Sequence, residues 1–488
     1  MKLFERVSMI KFGTGGWRAI IAEEYTKENV RKVCQAIADY CSENADTSKE
    51  KAIVIGYDRR FLSKESAEWA ASVFGGNDFK VYILDEHGPT PMTMFTIGDM
   101  NLEFGIAITA SHNHAEYNGI KFFVDGGRDA PVEITNDIEK RIAKTKNKHV
   151  STSGFKHGLA TGIIEYINPL FDYINRIKSL LDINTISKEN LRVLVDPMYG
   201  SGKTALPAML FNIGVRADSI HDNHDVLFGG QHPSPSSSNL VRLKELVVKD
   251  GYDLGIATDG DADRLGIVTE TGQYLHPNDI LVLLYYYFLK YKNIQTPVVR
   301  NIATTHLLDR IARAFNQEAI EVPVGFKNIT EGMQASGAHL GGESSGGLAT
   351  VGHIRGKDGV YAAAIICEVI ANTGKSLSAL LNEIYEQFGE LYMYETNFNM
   401  TEEAKSEIYN RLFVEKEVPE FNKEIAKISY DDGMKIYFTD DSWILTRFSG
   451  TEPVIRIYAE QETRKATIDV CKEMQEFLGI PNGDLSDS

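Results

Sequence analysis

The order strand, helix, strand, strand recurs three times along this chain, and each time it runs into a short loop of glycine and small polar residues. The first pass predicts strands over Ala52 to Ile55, Lys80 to Leu84 and Phe104 to Thr109, with a helix over Ser66 to Phe74, and ends in TASHN. The second predicts strands at Arg192 to Val195, near Val215 and at Leu254 to Ala257, with a helix near Ala205 to Asn212, and ends in TDGDADR. The third predicts a strand Pro297 to Val299, a helix Thr305 to Phe315, a strand Glu318 to Val322 and a short run around His339 and Leu340; its loop is GGESSGG. Strands alternating with helices imply mainly parallel sheets, whose ligands sit outside the carboxyl ends of the strands, so the three loops are expected to face one cleft. At 488 residues the chain is too long for one hydrophobic core, and three or four domains are expected. From about Tyr394 the texture changes to charged helices, a hairpin-like Lys435 to Leu445, the loop RFSGTEP and a final helix, which reads as a smaller α+β domain. The last eight residues, PNGDLSDS, read as a disordered tail.

A serine in the turn after a buried strand, here Ser111 of TASHN, projects into the strand-end crevice, and its small neighbours let a phosphate approach backbone N–H groups. Alone, such a serine is more often a turn former than a nucleophile. Asp259, Asp261 and Asp263 alternate along the second loop, so their carboxylates can converge on one hard cation, for which magnesium is the natural candidate. The plain alternative is a solvated acidic loop. An EF-hand, suggested by Glu270 at the twelfth position, fails because Arg264 stands where glycine is required and Leu265 to Val268 reads as a strand. Glu343 and Ser345, between Gly342 and Gly346, offer an acceptor and a donor/acceptor suited to sugar hydroxyls, although such Gly/Ser segments are commonly flexible loops. His353, Arg355 and Lys357 add positive charge suited either to a phosphate or to an ordinary basic surface. Arg447, Ser449, Gly450 and Thr451 form a compact anion-binding pattern, and Arg456 either faces the same anion or pairs with Glu452 or Glu460. Near the N-terminus, Gly13, Gly15 and Gly16 precede Trp17 and Arg18 without following a clear strand, which argues against a dinucleotide fingerprint.

Charge and hydropathy exclude other classes. The net charge of -17 disfavours nonspecific nucleic-acid binding, so a phosphate ligand must be held by a local site. The longest apolar run, Ile280 to Leu289, is about half the ~20 residues of a membrane span and reads as a buried core helix. Lys2, Glu5, Arg6 and Lys11 break up the N-terminal apolar residues, so no secretory signal is expected and a cytoplasmic location is the default. Cys34, Cys41, Cys367 and Cys471 show neither zinc nor disulfide spacing and read as buried reduced thiols.

Taken together, the four loops in this order resemble the α-D-phosphohexomutase family over nearly the whole chain, with phosphoglucomutase the nearest branch. The family's TASHNP matches Thr109 to Asn113, its DGDxDR matches Asp259 to Arg264, its GExSG corresponds to Gly342 to Gly346, and its RxSGTEP runs from Arg447 to Pro453. His114 departs from the family's proline, which implies a looser loop, and Gly347 stands where the mannomutase and glucosamine mutase branches carry histidine. The stretch His353 to Gly359 is similar to phosphoglucomutase, which points to glucose phosphate; mannose, dual glucose/mannose and pentose phosphates, or a noncatalytic sensor, are the alternatives.

The resemblance implies an α/β chain of four domains, three related mixed-sheet domains and a smaller α+β domain around a central cleft, over residues 1–165, 166–273, 274–393 and 394–488. It implies a phosphorylated Ser111 and one Mg²⁺ held by Ser111, Asp259, Asp261 and Asp263, with glucose 1,6-bisphosphate as intermediate and activator. Lys121 and Arg18 would lie near the reacting oxygen, with His112 an alternative acid/base; Lys121 suits proton transfer if burial lowers its pKa. Arg264, Glu343, Ser345, His353, Lys357, Arg447, Ser449, Gly450, Thr451 and Arg456 would bind substrate. The expected partner is a small hexose phosphate, with no nucleic acid and no membrane, for a monomer or homodimer. A phosphatase using Ser111 or an aspartate is the rival from another class, told apart by release of free phosphate.

Overall fold

A computed structural model describes residues 10–13, 15–145, 149–448 and 454–480. The chain divides into two compact units, Met1–Leu275 with Gly347–Ser376, and His276–Gly346 with Leu377–Ser488.

The first unit holds two sheets built on one plan. In the first sheet, Lys80–Leu84, Ala52–Tyr57 and Phe104–Ile108 lie side by side and parallel, so the spatial order is second, first, third. Ser63–Gly76 and Thr90–Asp99 are the crossover helices that parallel pairing requires. The second sheet repeats the order with Arg216–Ser219, Arg192–Asp196 and Leu254–Thr258, crossed over by Gly202–Asn212 and Val241–Asp250. All six residues of Ala52–Tyr57 and all five of Leu254–Thr258 are buried, as expected for strands covered on both faces.

Both sheets are mixed rather than mainly parallel. After the third parallel strand the chain turns back antiparallel, as Tyr117–Val124 against Phe104–Ile108 and as Leu265–Thr269 against Leu254–Thr258. TASHN and TDGDADR therefore occupy the same connection in each repeat, at the carboxyl end of a parallel strand. Gly16–Ile20 extends the first sheet by pairing with Tyr117–Val124, with Phe12–Gly13 beyond it, so Gly13 and Gly16 are paired strand ends with Gly15 in the turn.

In the second unit, Ala319–Val322, Val298–Asn301 and Leu340–Gly342 repeat the second, first, third order, with Leu307–Ala314 and Phe326–Ser336 as crossovers. The expected core helix is Pro277–Lys290; every residue from Ile280 to Leu289 is buried, and a capping box of His276 and Asp279 closes its N-terminus. The C-terminal segment forms a five-stranded antiparallel sheet in the order Tyr392–Asn399, Val454–Gln461, Trp443–Phe448, Met434–Phe438, Ile425–Ser429. One face of it packs Ile436, Ile444, Ile455 and Ile457 against Val470, Cys471, Met474 and Leu478 of the last helix, Arg464–Leu478. The four cysteines are free and buried. Among the described residues no single helix is long and apolar enough to cross a membrane. The tail from Pro481 lies outside the described residues.

Candidate active site

Ser111 leaves the strand Phe104–Ile108 in a left-handed backbone conformation, φ 52°, which a non-glycine residue holds only when its surroundings impose it. Thr109 Oγ1 accepts the Ser111 amide at 2.8 Å, and the side chain is fixed by donating from Oγ to Asp259 Oδ2 at 2.9 Å. The nucleophile candidate and the acidic loop are thus in direct contact. Gly260 makes the approach possible: a Cβ there would lie 2.5 Å from the Ser111 carbonyl oxygen. Gly260→Ala is accordingly expected to push the two loops apart, lowering kcat by about 10²-fold with little change in circular dichroism, because misplacement of reacting groups by ~1 Å has that cost. A wild-type kcat in that variant would show that the close approach does not matter.

The three aspartates are buried, and one carboxylate oxygen of each lies within 4.8 Å of the others. Asp259 Oδ1 is taken by the amides of Asp263 and Arg264, at 3.0 and 3.1 Å. Asp261 Oδ2 accepts from Thr90 Oγ1 and from Lys121 Nζ, both at 2.7 Å, and Asp263 Oδ2 accepts from Lys121 Nζ at 2.8 Å and pairs with Lys357 Nζ at 3.0 Å. Asp261 Oδ1 and Asp263 Oδ1 are buried without a hydrogen-bond partner. Two orphaned carboxylate oxygens beside Asp259 Oδ2 and the Ser111 hydroxyl make an all-oxygen donor set that fits a hard divalent cation.

Electrostatics point the same way. Burial and then the charges of Asp261 and Asp263 push the Asp259 carboxyl up to about 8, a strain that a cation relieves. Burial and the repulsion of Asp263 work against ionisation of Asp261, but Lys121 outweighs them and holds it below the usual carboxylate range. For Lys121 the expected depression is reversed: burial alone lowers its pKa, yet Asp261, Asp263 and Asp129 outweigh it and raise the net value, keeping the ammonium charged. His112 goes the other way. Burial, followed by Arg264, Arg18 and Lys357, drives its pKa far below the ordinary histidine value, so the ring is neutral; its Nδ1 lies 3.3 Å from Ser111 Oγ. Arg18 donates to Asn113 Oδ1 at 2.6 Å, and the Nε atoms of Arg18 and Arg264 are buried without hydrogen-bond acceptors. A neutral imidazole among three cations is a setting in which an anion meets attraction from several sides.

His353 is not part of this cluster as a free cation. Its side chain is 2 % exposed, Nε2 lies 2.7 Å from Asp358 Oδ2, and its ring packs with Phe95, Tyr173 and Tyr361. Asp358 also accepts from the Tyr173 hydroxyl at 2.7 Å, so His353 shapes the segment that delivers Lys357 to Asp263. Nor is the loop slack at His114, where the family proline is missing, because the His114 carbonyl accepts from Arg60 at 2.7 Å.

In the second unit, Glu343 Oε1 accepts from Asn301 Nδ2 at 3.2 Å and from the Gly325 amide at 3.0 Å, and Ser345 Oγ donates to Glu343 Oε2 at 3.4 Å. The neighbouring Val324 amide donates to Asp432 Oδ2 at 2.7 Å, while Arg447 Nε donates to Asp432 Oδ1 at 2.8 Å. The Glu343 loop, the turn at Gly325 and Arg447 therefore form one connected set. Arg447 and Arg456 are direct cross-strand partners, which sets two guanidinium groups side by side, with Asp432 on Arg447 and Glu395 near Arg456. Glu460 Oε2 accepts from the His306 amide and from Trp443 Nε1. Ser449, Gly450 and Thr451 lie outside the described residues.

Sequence reasoning missed Thr90, Arg60, Asn301 and Asp432. Arg60 and Asn301 sit at or just beyond the carboxyl ends of the first strands of their repeats, Ala52–Tyr57 and Val298–Asn301, where the strand-end rule already places ligands.

A buried hydroxyl beside three carboxylates whose oxygens could hold one metal ion is what this geometry defines. Four domain families of the phosphoglucomutase/phosphomannomutase type match the chain: the alpha/beta/alpha domains I, II and III at residues 9–149, 171–272 and 276–388, and the C-terminal domain at 395–477. A phosphoglucomutase/phosphomannomutase of Thermococcus kodakarensis is 30% identical over 455 residues, covering 93% of this chain and 95% of that protein. A phosphoglucosamine mutase of Acetivibrio thermocellus is 29% identical over 477 residues, covering 96% and 99%. A phosphoglucosamine/phosphogalactosamine mutase of Sulfurisphaera tokodaii is 28% identical, covering 96% and 98%. Among solved structures, parafusin of Paramecium, a phosphoglucomutase in an open form, shares the fold with a TM-score of 0.82 at 22% identity, covering 97% of this chain and 95% of that one. The chain belongs to the phosphoglucomutase/phosphomannomutase family, and it is an enzyme, an isomerase of the mutase type.

Proposed function

We propose that the chain interconverts glucose 1-phosphate and glucose 6-phosphate through a phosphoserine at Ser111 and a glucose 1,6-bisphosphate intermediate. The observation that carries this is the 2.9 Å contact of Ser111 Oγ with Asp259, beside two buried carboxylate oxygens that lack partners. Asp259, Asp261, Asp263 and Ser111 would hold Mg²⁺, which when bound neutralises charge developing on a transferring phosphoryl group. Phosphorylated Ser111 gives its phosphoryl group to the free 6-hydroxyl of glucose 1-phosphate, the O6–P bond forming as the Oγ–P bond breaks. The bisphosphate, turned end for end, returns its other phosphoryl group to Ser111 as the O1–P bond breaks, leaving glucose 6-phosphate.

His112, with Nδ1 at 3.3 Å, is kept neutral by burial and the surrounding cations and suits holding the Ser111 hydroxyl in place rather than carrying its proton. Lys121, fixed as an ammonium by two aspartates, contributes charge, as does Arg18, which cannot readily give up a proton. Glu343 and Ser345 suit the sugar hydroxyls, and the facing pair Arg447 and Arg456 suits the nonreacting phosphate. Buried free thiols suit a reducing, cytoplasmic setting.

Glucose is favoured by Gly347 after the sugar loop, and the name of the Thermococcus relative gives both glucose and mannose. A glucosamine phosphate is the second reading, favoured by the names of the Acetivibrio and Sulfurisphaera relatives. A coupled assay of glucose, mannose, glucosamine and ribose 1-phosphates with trace bisphosphate decides between them. We expect kcat/KM for glucose to exceed each rival by more than tenfold, or ~1.4 kcal/mol of transition-state discrimination. A smaller preference contradicts the glucose assignment.

A further inference from the structure

We propose that Arg60 is the positioning residue of the Ser111 loop, drawing its carbonyls to one side so that its amides are presented to the phosphoryl group; this rests on the phosphoserine reading of Ser111. The Arg60 side chain is buried, and its guanidinium donates to four backbone carbonyls of one short loop. Nη2 reaches Ser111 O at 2.7 Å and Asn113 O at 2.5 Å; Nη1 reaches His114 O at 2.7 Å and Tyr117 O at 3.1 Å. The guanidinium is itself fixed. Its Nε lies 3.4 Å from Asp58 Oδ2, the Asp58 Oδ1 atom accepts from the Arg60 amide and from Ser63 Oγ, and one guanidinium face lies 4.8 Å from the Phe228 ring centroid.

The consequence follows from peptide planarity. In a trans peptide the carbonyl of one residue and the N–H of the next point in opposite directions. With the carbonyls of Ser111 and Asn113 turned to Arg60, the amides of His112 and His114 point away from it, and among the described residues neither donates to a protein acceptor. The two outward amides, one on either side of the Asn113 amide that donates to Ala110 O, follow the left-handed Ser111 and can both face an anion. Burial lowers the Arg60 pKa without neutralising a guanidinium, while Asp58, Asp261 and Asp259 favour its charge. A lysine cannot replace it, because a single ammonium has three donors and no planar fork to span four carbonyls.

The test uses Arg60→Lys and Arg60→Ala in the full chain, with glucose 1,6-bisphosphate as phosphoryl donor and the Ser111 peptide followed by mass spectrometry. In variants that keep the wild-type circular dichroism, kcat and the rate of Ser111 phosphorylation should fall together, on the order of 10²-fold, with KM for glucose 1-phosphate unchanged. Arg60→Lys carries the test if Arg60→Ala does not fold. Folded variants that phosphorylate Ser111 at the wild-type rate, or that lose only KM, overturn the role of Arg60 and leave the phosphoserine reading standing. A wild-type chain that takes no phosphate on Ser111 overturns both.

Discussion

Ser111→Ala should abolish mutase turnover, a loss on the order of 10⁴-fold or more, as expected when the group that forms the covalent intermediate is removed. The fold should survive. What the substitution removes locally is one hydrogen bond to Asp259, with a net contribution of about 1 kcal/mol, and alanine tolerates the left-handed backbone at this position about as well as serine does. Ser111→Thr keeps the hydroxyl but places a β-branched residue at φ 52°, so it should also be severely impaired. Turnover is read by the coupled assay and folding by thermal denaturation. Near-normal activity of a folded Ser111→Ala protein is incompatible with covalent transfer through this residue.

The second large effect is expected at the aspartate trio. Asp261→Asn removes charge from a group whose Oδ2 accepts from Thr90 and Lys121 and whose Oδ1 has no protein partner. If that oxygen is a cation ligand, the variant loses several kcal/mol of charge stabilisation in the transition state, a fall in kcat of about 10³-fold. A readout independent of turnover is available. Added Mg²⁺ should raise the melting temperature of the wild-type chain, because a ligand bound only by the folded state stabilises it, and should leave that of Asp261→Asn unmoved. Equal Mg²⁺ responses in the two proteins would remove the trio from metal binding.

Elements whose signal is local were readable from the residues alone. The unbroken apolar run Ile280 to Leu289 became a buried helical run, and the strands Phe104–Ile108 and Leu254–Thr258 appeared where short apolar runs ended in the candidate functional loops. The return strand Tyr117–Val124 was not readable, because Asn118, Gly119 and Lys121 interrupt its apolar pattern. Those residues are tolerated in a buried strand only through distant partners, Ser63 and Phe61 for Asn118 and the two aspartates for Lys121. The same dependence explains the other differences. The Lys121 pKa is set by carboxylates 140 and 142 residues away, not by burial alone. His353 looked like a phosphate ligand, but its Nε2 pairs with Asp358, the same carboxylate that the Tyr173 hydroxyl reaches. Arg60 carried no sequence signal because the carbonyls it gathers lie more than fifty positions on. Motif spacing thus exposed Ser111 and the carboxylates, while the residues that surround and position them became visible only through long-range contacts.

The most direct measurement follows phosphate itself. Incubating the dephosphorylated chain with Mg²⁺ and glucose 1,6-bisphosphate labelled in both phosphates should place the label on Ser111 alone. Chasing with unlabelled glucose 1-phosphate should then move it to sugar far faster than to water. Label on another residue, no label, or release as inorganic phosphate as fast as transfer to sugar would contradict the account.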